Sequence, residues 1–336
     1  RVGVSPKLTY ENGSFQVNAA YTKIDRETIS DFGSVNEADS YVIDAFNKYV
    51  FDDTFYTIVG LNYGDYNSLF VEEESFTNTD PYLNVVYVSD FGLNINAGGR
   101  LNNHSEYGSY FVYSLNPSYS IKSNYGSYKI FGSYATSFIA PNLSQLFGFF
   151  GANPDLRPEE NKTLEAGFEF NDGKGFRAST VFFNRKEENT IIYTTAYENA
   201  ITNATVQGSE FEFETSFIKN LDFSVNLTYL EVKDGERLRV PNYKANASLG
   251  YDFSKTTYAS LNYQFVGSRT DTNFSTFLNE ELSSYSLIDL YFSHKIIKNK
   301  LTLFANVTNV LNEDYFEILG YTTKGRNVSF GLNLNL

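Results

Sequence analysis

LDFSVNLTYLE, residues 221–231, sets Leu221, Phe223, Val225, Leu227 and Tyr229 on one side of an extended chain and Asp222, Ser224, Asn226 and Thr228 on the other. Side chains of a β-strand alternate faces, so this stretch reads as a strand with one apolar and one polar surface. The pattern returns in residues 241–252, where Tyr243, Ala245, Ala247, Leu249 and Tyr251 oppose Asn242, Lys244, Asn246, Ser248 and Asp252. It closes the sequence in NVSFGLNLNL, where Val328, Phe330, Leu332, Leu334 and Leu336 share a face. No stretch carries a convincing helical period, and the expected fold class is all-β.

Segments of this kind recur as roughly 17 strands of about 8 to 12 residues, long enough to cross a bilayer when tilted. Their connections form two populations that alternate strictly along the chain. Short ones stand at ENG (from 11), FDD (51), SD (89), SNYG (123), DGKG (172), IKN (218), FSK (253) and IIKNK (296); longer ones cover 25–39, 65–79, 102–108, 138–161, 185–204, 232–240, 267–283 and 309–324. An antiparallel up-and-down β-barrel of the outer-membrane kind has this character, with tight turns at the periplasmic end and long loops outside. If the turn at 11–13 is periplasmic, the first and last strands run the same way. Antiparallel closure then requires an odd number of further strands on the N-terminal side.

Composition narrows the classes. The 336 residues carry a net charge of -14, 17% aromatics and no Cys, Met or Trp. Without cysteine there is neither a disulfide framework nor a thiolate metal site. The acidic balance argues against nucleic acid, whose phosphates select basic surfaces. No apolar run of about 18 residues is present, so a membrane span must come from strands. Lacking Met, the numbering reads as starting inside a longer precursor, and RVGVSPKLTY has no signal-peptide anatomy. Two histidines, His104 and His294, form no constellation with a nucleophile, and Gly173-Lys174-Gly175 reads as a hairpin turn, not a phosphate loop. An enzyme is not expected. A soluble sandwich would have shorter strands and a propeller a blade-length repeat. The Asn-, Ser- and Thr-rich polar face instead suits a wide, plugged or water-filled lumen.

One stretch interrupts the alternation. YATSFIAPNLSQLFGFFGANPDLRPEENKTLEAGFEF, residues 134–170, displays Pro141, Leu143, Phe147, Phe149, Phe150, Pro154 and Pro158. The prolines cannot donate ladder hydrogen bonds, so strand pairing stops here, and Asn153-Pro154 and Arg157-Pro158 favour turns and extended links. An apolar segment at the outer end either packs on itself and stiffens the rim or meets a large, partly apolar ligand.

The segment resembles TonB-dependent outer-membrane receptors, in which a strand ends in an Ala-Pro segment and is followed by an NPDLRPE-type element. APNLSQLFGFFGANPDL is similar to the corresponding stretch of the cobalamin transporters of that family. The resemblance continues through GGRLNNHSEYGSYFVYSLNPSYSI (98–121), ATVQGSEFEFET (204–215), LNYQFVGSRTD (261–271) and NVTNVLNEDYFEILGYTTKGRNVSFGLNLNL (306–336), and is weak over 1–95. It implies a transmembrane barrel of about 22 strands around a plug. Residues 1–336 would form its C-terminal part, with the plug absent from this chain.

The implied location is the outer membrane of a Gram-negative bacterium. The implied function is TonB-dependent uptake of cobalamin (vitamin B12) or another corrinoid, with the TonB complex, outer-membrane lipids and a surface lipoprotein as partners. An iron-siderophore receptor and a passive porin are the alternatives. Arg239 falls where the cobalamin transporters carry a ligand-facing arginine, and Asn142, Gln145, Phe147 and Phe149 are further ligand candidates by their place in the loop. Asp25, Asp31, Glu37 and Asp39 fall where those relatives bind structural Ca2+, and they offer hard oxygen ligands. A solvated acidic loop and a salt-bridged rim arginine are the plainer readings of the same residues.

Overall fold

The computed structural model describes residues 1–29, 33–235, 237–273, 275–276, 278–298 and 300–335. Among them are 22 strands and one short helix. In chain order the first strands are β1 (Val2–Val4), β2 (Lys7–Tyr10), β3 (Gly13–Thr28), β4 (Ser34–Val50), β5 (Phe55–Leu69), β6 (Glu73–Val88), β7 (Leu93–His104), β8 (Gly108–Ser123) and β9 (Gly126–Ile139). After helix α1 (Leu143–Phe147) come β10 (Glu159–Asn171), β11 (Phe176–Glu188), β12 (Ile191–Tyr193), β13 (Tyr197–Asn199), β14 (Ala204–Thr215), β15 (Leu221–Lys233) and β16 (Tyr243–Ser254). The last are β17 (Thr257–Val266), β18 (Arg269–Asn273), β19 (Leu278–Leu282), β20 (Tyr285–Ile297), β21 (Leu301–Thr308) and β22 (Asn327–Leu334). The pairs β12–β13 and β18–β19 are separate small hairpins, distinct from the other eighteen strands. Since β1 and β2 both pair with β3 and are two halves of one pass broken around Pro6, the eighteen make 17 passes, as the sequence pattern predicts.

The chain forms two compact units. The first comprises residues 1–119, 131–165 and 185–205, the second 120–130, 166–184 and 206–336. In the first, β3 through β8 pair antiparallel in sequence order. In the second, β15, β16, β17, β20, β21 and β22 do the same. The register of β15 on β16 sets Phe223 against Leu249, Val225 against Ala247 and Leu227 against Ala245 on one face, and Ser224 against Ser248 and Asn226 against Asn246 on the other.

Burial inverts that of a water-soluble sheet. The apolar residues are the exposed ones: Phe111 and Leu115 on β8, Val59 and Leu61 on β5, Phe330 and Leu332 on β22. Polar residues face inward and satisfy one another, as Ser133 does with Asn116 at 2.7 Å, Asn246 with Asn226 at 2.8 Å and Tyr82 with Asp44 at 3.0 Å. Apolar-out and polar-in alternation is the pattern of a strand that meets lipid on one side. Among the described residues no helix is long and apolar enough to cross a membrane.

The short turns close on side chains. Asp52 accepts from the backbone N–H groups of Thr54 (2.7 Å) and Phe55 (2.9 Å) and from the Thr54 hydroxyl (2.6 Å). Those bonds, led by that from the Thr54 side chain, hold its carboxyl below the ordinary value. Asp172 does the same for Lys174 and Phe176, both at 2.8 Å. Gly175 in that turn has φ +115, and a Cβ there would lie 2.4 Å from Ser216 Oγ.

Three boundaries differ from the sequence-based expectation. Residues read as outer loops within 25–39, 65–79 and 102–108 are largely strand, with β3 running to Thr28, β5 to Leu69 and β7 to His104. Past the bilayer both faces of a strand meet water, so the ladder continues while the alternation that betrays it fades. The 185–204 and 267–283 loops each contain a hairpin. A helix, unexpected from periodicity, stands at Leu143–Phe147, too short for one.

Candidate functional site

The outer loops of the first unit are built around residues 140–158. Asn142 caps α1: its Oδ1 accepts from Gln145 N and its own N–H donates to Gln145 Oε1, each at 2.9 Å. This reciprocal arrangement is a capping box, and N-L-S-Q was its legible signal. Pro141, Leu143, Leu146 and Leu156 are buried beneath it. Two of the candidate ligand residues, Asn142 and Gln145, thus commit their side-chain oxygens to the loop's own backbone. The exposed large apolar groups are Phe147, Phe149 and Phe150, beside exposed polar residues that include Asn142 and Arg157, and Phe149 is edge-on to Phe70 at 6.1 Å between ring centroids.

The β12–β13 hairpin fixes this loop. Asn153 donates from Nδ2 to Tyr197 O (2.9 Å) and accepts from Asp155 N (3.0 Å). Asn199 accepts from Arg157 N at 2.8 Å and returns a bond from Nδ2 to Arg157 O at 2.9 Å. The close approach of loop and hairpin requires glycine at 151: its φ is +63, and a Cβ would meet Tyr193 and the Ala196 Cα at 2.8 and 2.9 Å. From the other side Tyr107 donates its hydroxyl to Leu156 O at 3.1 Å. Tyr107 packs at 5.0 Å on His104, which is stacked on Phe76 at 4.6 Å. His104 is only 4% exposed, and its Nδ1 accepts from Glu106 N at 3.1 Å.

The outer loops of the second unit are locked by arginines. Arg239 has φ +63, a left-handed backbone that only a strong local constraint holds in a residue bearing a side chain. Its N–H donates to Thr270 O and its Nε to Asp271 Oδ1, each at 2.7 Å. Asp271 is completely buried and also accepts from Thr272 N and Leu319 N at 2.8 Å. Burial pushes its carboxyl upward, but the bonds from Leu319, Arg239 and Thr272 outweigh that and leave it below the ordinary value. Arg239, the arginine predicted to face ligand, therefore ties its loop to the β18–β19 hairpin, whose Asp271 in turn holds Leu319 N of the 309–326 loop. Beside it Arg269 donates to Phe316 O and lies 5.2 Å over the Tyr285 ring. Sequence reasoning overlooked Asp271, Arg269 and Tyr107, whose roles arise only from burial.

The NVTNVLNEDY segment is explained by two asparagines in left-handed conformation, Asn309 (φ +50) and Asn312 (φ +55). Asn309 exchanges two bonds with the backbone of Glu313, both 2.8 Å, and Asn312 Oδ1 accepts from Arg326 N at 2.8 Å.

The acidic candidates are placed on the outer ends of β3 and β4, where Asp25 pairs with Glu37 and Lys23 with Asp39. The Lys23 ammonium lies 3.3 Å from Asp25 and 3.7 Å from Glu37, and Asp39 Oδ1 accepts from Asn67 at 3.5 Å. A lysine stands where a cation would, and no group of three metal-ligating side chains forms among the described residues. As arranged, these residues do not fit calcium. Asp31 lies outside the described residues.

The sequence matches the family described as "TonB dependent receptor-like, beta-barrel" over residues 3–310. The chain belongs to this family. It is therefore part of a transmembrane β-barrel in the outer membrane of a Gram-negative bacterium, and the plug is absent from this chain. The family is one of receptors and transporters, not enzymes. Among curated proteins, the vitamin B12 transporter BtuB of Vibrio cholerae serotype O1 (strain M66-2) is 29% identical over 242 residues, covering 69% of this chain and 38% of that protein. The chain thus spans about two-fifths of the length of the curated relatives it matches. Among solved structures, a mutant of the ferric enterobactin receptor PfeA of Pseudomonas aeruginosa superposes with a TM-score of 0.83 at 16% identity. That match covers 98% of this chain and 60% of PfeA. The siderophore receptor PirA of Pseudomonas aeruginosa gives 0.79 at 18% identity, covering 98% and 61%. These two likenesses concern the fold. In this receptor barrel the tight turns are periplasmic, and the Phe147–Phe150 loop and the arginine-locked loops are extracellular.

Proposed function

We propose that this chain is the C-terminal part of a barrel that imports cobalamin or a related corrinoid, driven by the TonB complex through a plug. The observation that carries the reading is the exposed aromatic group Phe147, Phe149 and Phe150 on an extracellular loop that its own capping box and the β12–β13 hairpin hold rigid. Large ligands of low net charge are bound by preformed apolar surface edged with a few polar groups. A corrinoid offers such a surface, broad and fringed with amides. The sequence likeness to a vitamin B12 transporter supports the same choice. A ferric catecholate is an anion, and this chain has a net charge of -14, with Arg239 already neutralised by Asp271. The siderophore reading has the fold likeness to PfeA and PirA in its favour and is decided by the same experiment. Calorimetric titration of the full-length, detergent-purified protein with cyanocobalamin and with a ferric catecholate is expected to give saturable binding of the first only. Binding of the catecholate alone would replace the corrinoid by a siderophore.

A further inference from the structure

The lipid-facing side of the second unit carries a groove of about 410 Å³ across β16, β17, β20 and β21, almost wholly apolar. Its origin is legible in the register. One rung of the ladder runs Tyr251, Ala259, Phe292, Ala305, Phe330 across five consecutive strands, so that large rings alternate with methyl groups. The next rung toward the outer face, Leu249, Leu261, Leu290 and Val307, is continuous aliphatic. The two alanines therefore floor troughs between rings, with a volume inside the range of about 300–1,000 Å³ typical of small-molecule sites.

Toward the periplasm the groove ends at a concentration of positive charge. The next rung pairs Thr257 with His294, whose Oγ1 and Nδ1 lie 2.9 Å apart. Beyond it the two adjoining turns, held together by the bond from Lys295 N to Thr256 O at 2.8 Å, bring Lys255, Lys295, Lys298 and Lys300 to one end of the sheet. All four are exposed, and neither 253–257 nor 293–303 contains an Asp or Glu. In a chain with 40 acidic and 26 basic residues, a stretch of this sign is unexpected from composition. Lysines at a bilayer surface attract anionic headgroups, and apolar troughs of this width accept acyl chains.

We infer that this face is a binding site for an anionic glycerophospholipid of the periplasmic leaflet. Its two acyl chains lie over Ala259, between Tyr251 and Phe292, and over Ala305, between Phe292 and Phe330, and the phosphate meets Lys255, Lys298 and Lys300 beside His294, on the face opposite Lys295. The charge and the groove are independent observations, and they adjoin at the depth where a lipid's headgroup and chain meet. The site belongs to the barrel wall and does not depend on which ligand the receptor imports.

The test is native mass spectrometry of the full-length protein released from detergent with phosphatidylglycerol or phosphatidylethanolamine of equal chain length. The wild type is expected to retain the anionic lipid about tenfold more than the zwitterionic one. Lys255→Gln, Lys298→Gln and Lys300→Gln together should bring the two lipids to equal retention while the barrel still binds both. Ala259→Leu with Ala305→Leu fills the troughs, keeps every charge, and should lower retention of both lipids. Equal retention by the wild type, a preference that survives the three Gln substitutions, or unchanged retention in the Leu pair would each overturn the proposal. So would displacement of the lipid by inorganic phosphate at matched concentration, which would reduce the site to phosphate alone.

Discussion

Replacing Arg239 by Ala removes the side-chain cation paired with a fully buried carboxylate, which then holds Leu319 N and Thr272 N alone. The Nε to Oδ1 distance of 2.7 Å marks a charge-assisted bond. Hydrogen bonds to charged groups contribute about 1.5–3 kcal/mol, or roughly 10- to 150-fold in an opening equilibrium. The Arg239 side chain is 39% exposed, and solvent screening places its substitution near the lower end, about tenfold. Asp271 is completely buried and holds Leu319 N and Thr272 N as well as Arg239, so Asp271→Asn should act more strongly, toward about 100-fold. The assay is hydrogen exchange of the Leu319, Thr272 and Arg239 amides in the detergent-solubilised full-length protein, resolved by mass spectrometry of peptides. All three should exchange faster in both variants, and the double variant should be no faster than Asp271→Asn, because the Arg239 bond is one of the three that Asp271 accepts. The same amides should lose protection as pH falls. A carboxylate with a lowered folded value stabilises fully above its unfolded value near 3.8 and loses that contribution as pH drops through the folded value. Unchanged exchange at Leu319 in both variants would refute the lock.

Tyr107→Phe removes the bond to Leu156 O and should raise exchange in the 151–158 segment about fivefold, the equivalent of about 1 kcal/mol, without altering the strands. Gly151→Ala forces a left-handed residue against Tyr193 and the Ala196 backbone. It should separate the hairpin from the 140–158 loop, read as faster proteolysis between 148 and 158. Phe149→Ala and Phe150→Ala leave the capping box intact and should each weaken cyanocobalamin binding about tenfold in calorimetry, within the range of buried aromatic anchors. Asn142→Ala should cost about 1 kcal/mol of local loop stability through the lost cap, with a smaller effect on binding than either ring.

The transmembrane passes were legible because lipid on one side and polar contacts on the other impose a strict period of two. LDFSVNLTYLE shows this as plainly as any segment, and its register on β16 follows the pattern residue by residue. Beyond the bilayer that constraint is lifted. DRET at 25–28 and NEAD at 36–39 are paired strand with no apolar face to announce it, which is why their extent escaped a reading of the sequence. The site was legible in part. The prolines and rings of 140–158 mark an outer loop of special character, and Phe147, Phe149 and Phe150 are exposed on it. The roles of Asn142 and Gln145 were harder to read, because the same amides that suit a ligand also suit a helix cap. Asp271 was invisible: nothing in RTDTN distinguishes a solvated aspartate from one enclosed by three loops.

Uptake of radiolabelled cyanocobalamin by cells expressing the full-length protein, with and without a functional TonB complex, tests the central claim most directly. Saturable uptake that disappears without TonB is the predicted result. Absence of uptake despite a folded barrel at the surface would contradict the assigned substrate, and uptake that is unsaturable and indifferent to TonB would contradict active transport itself.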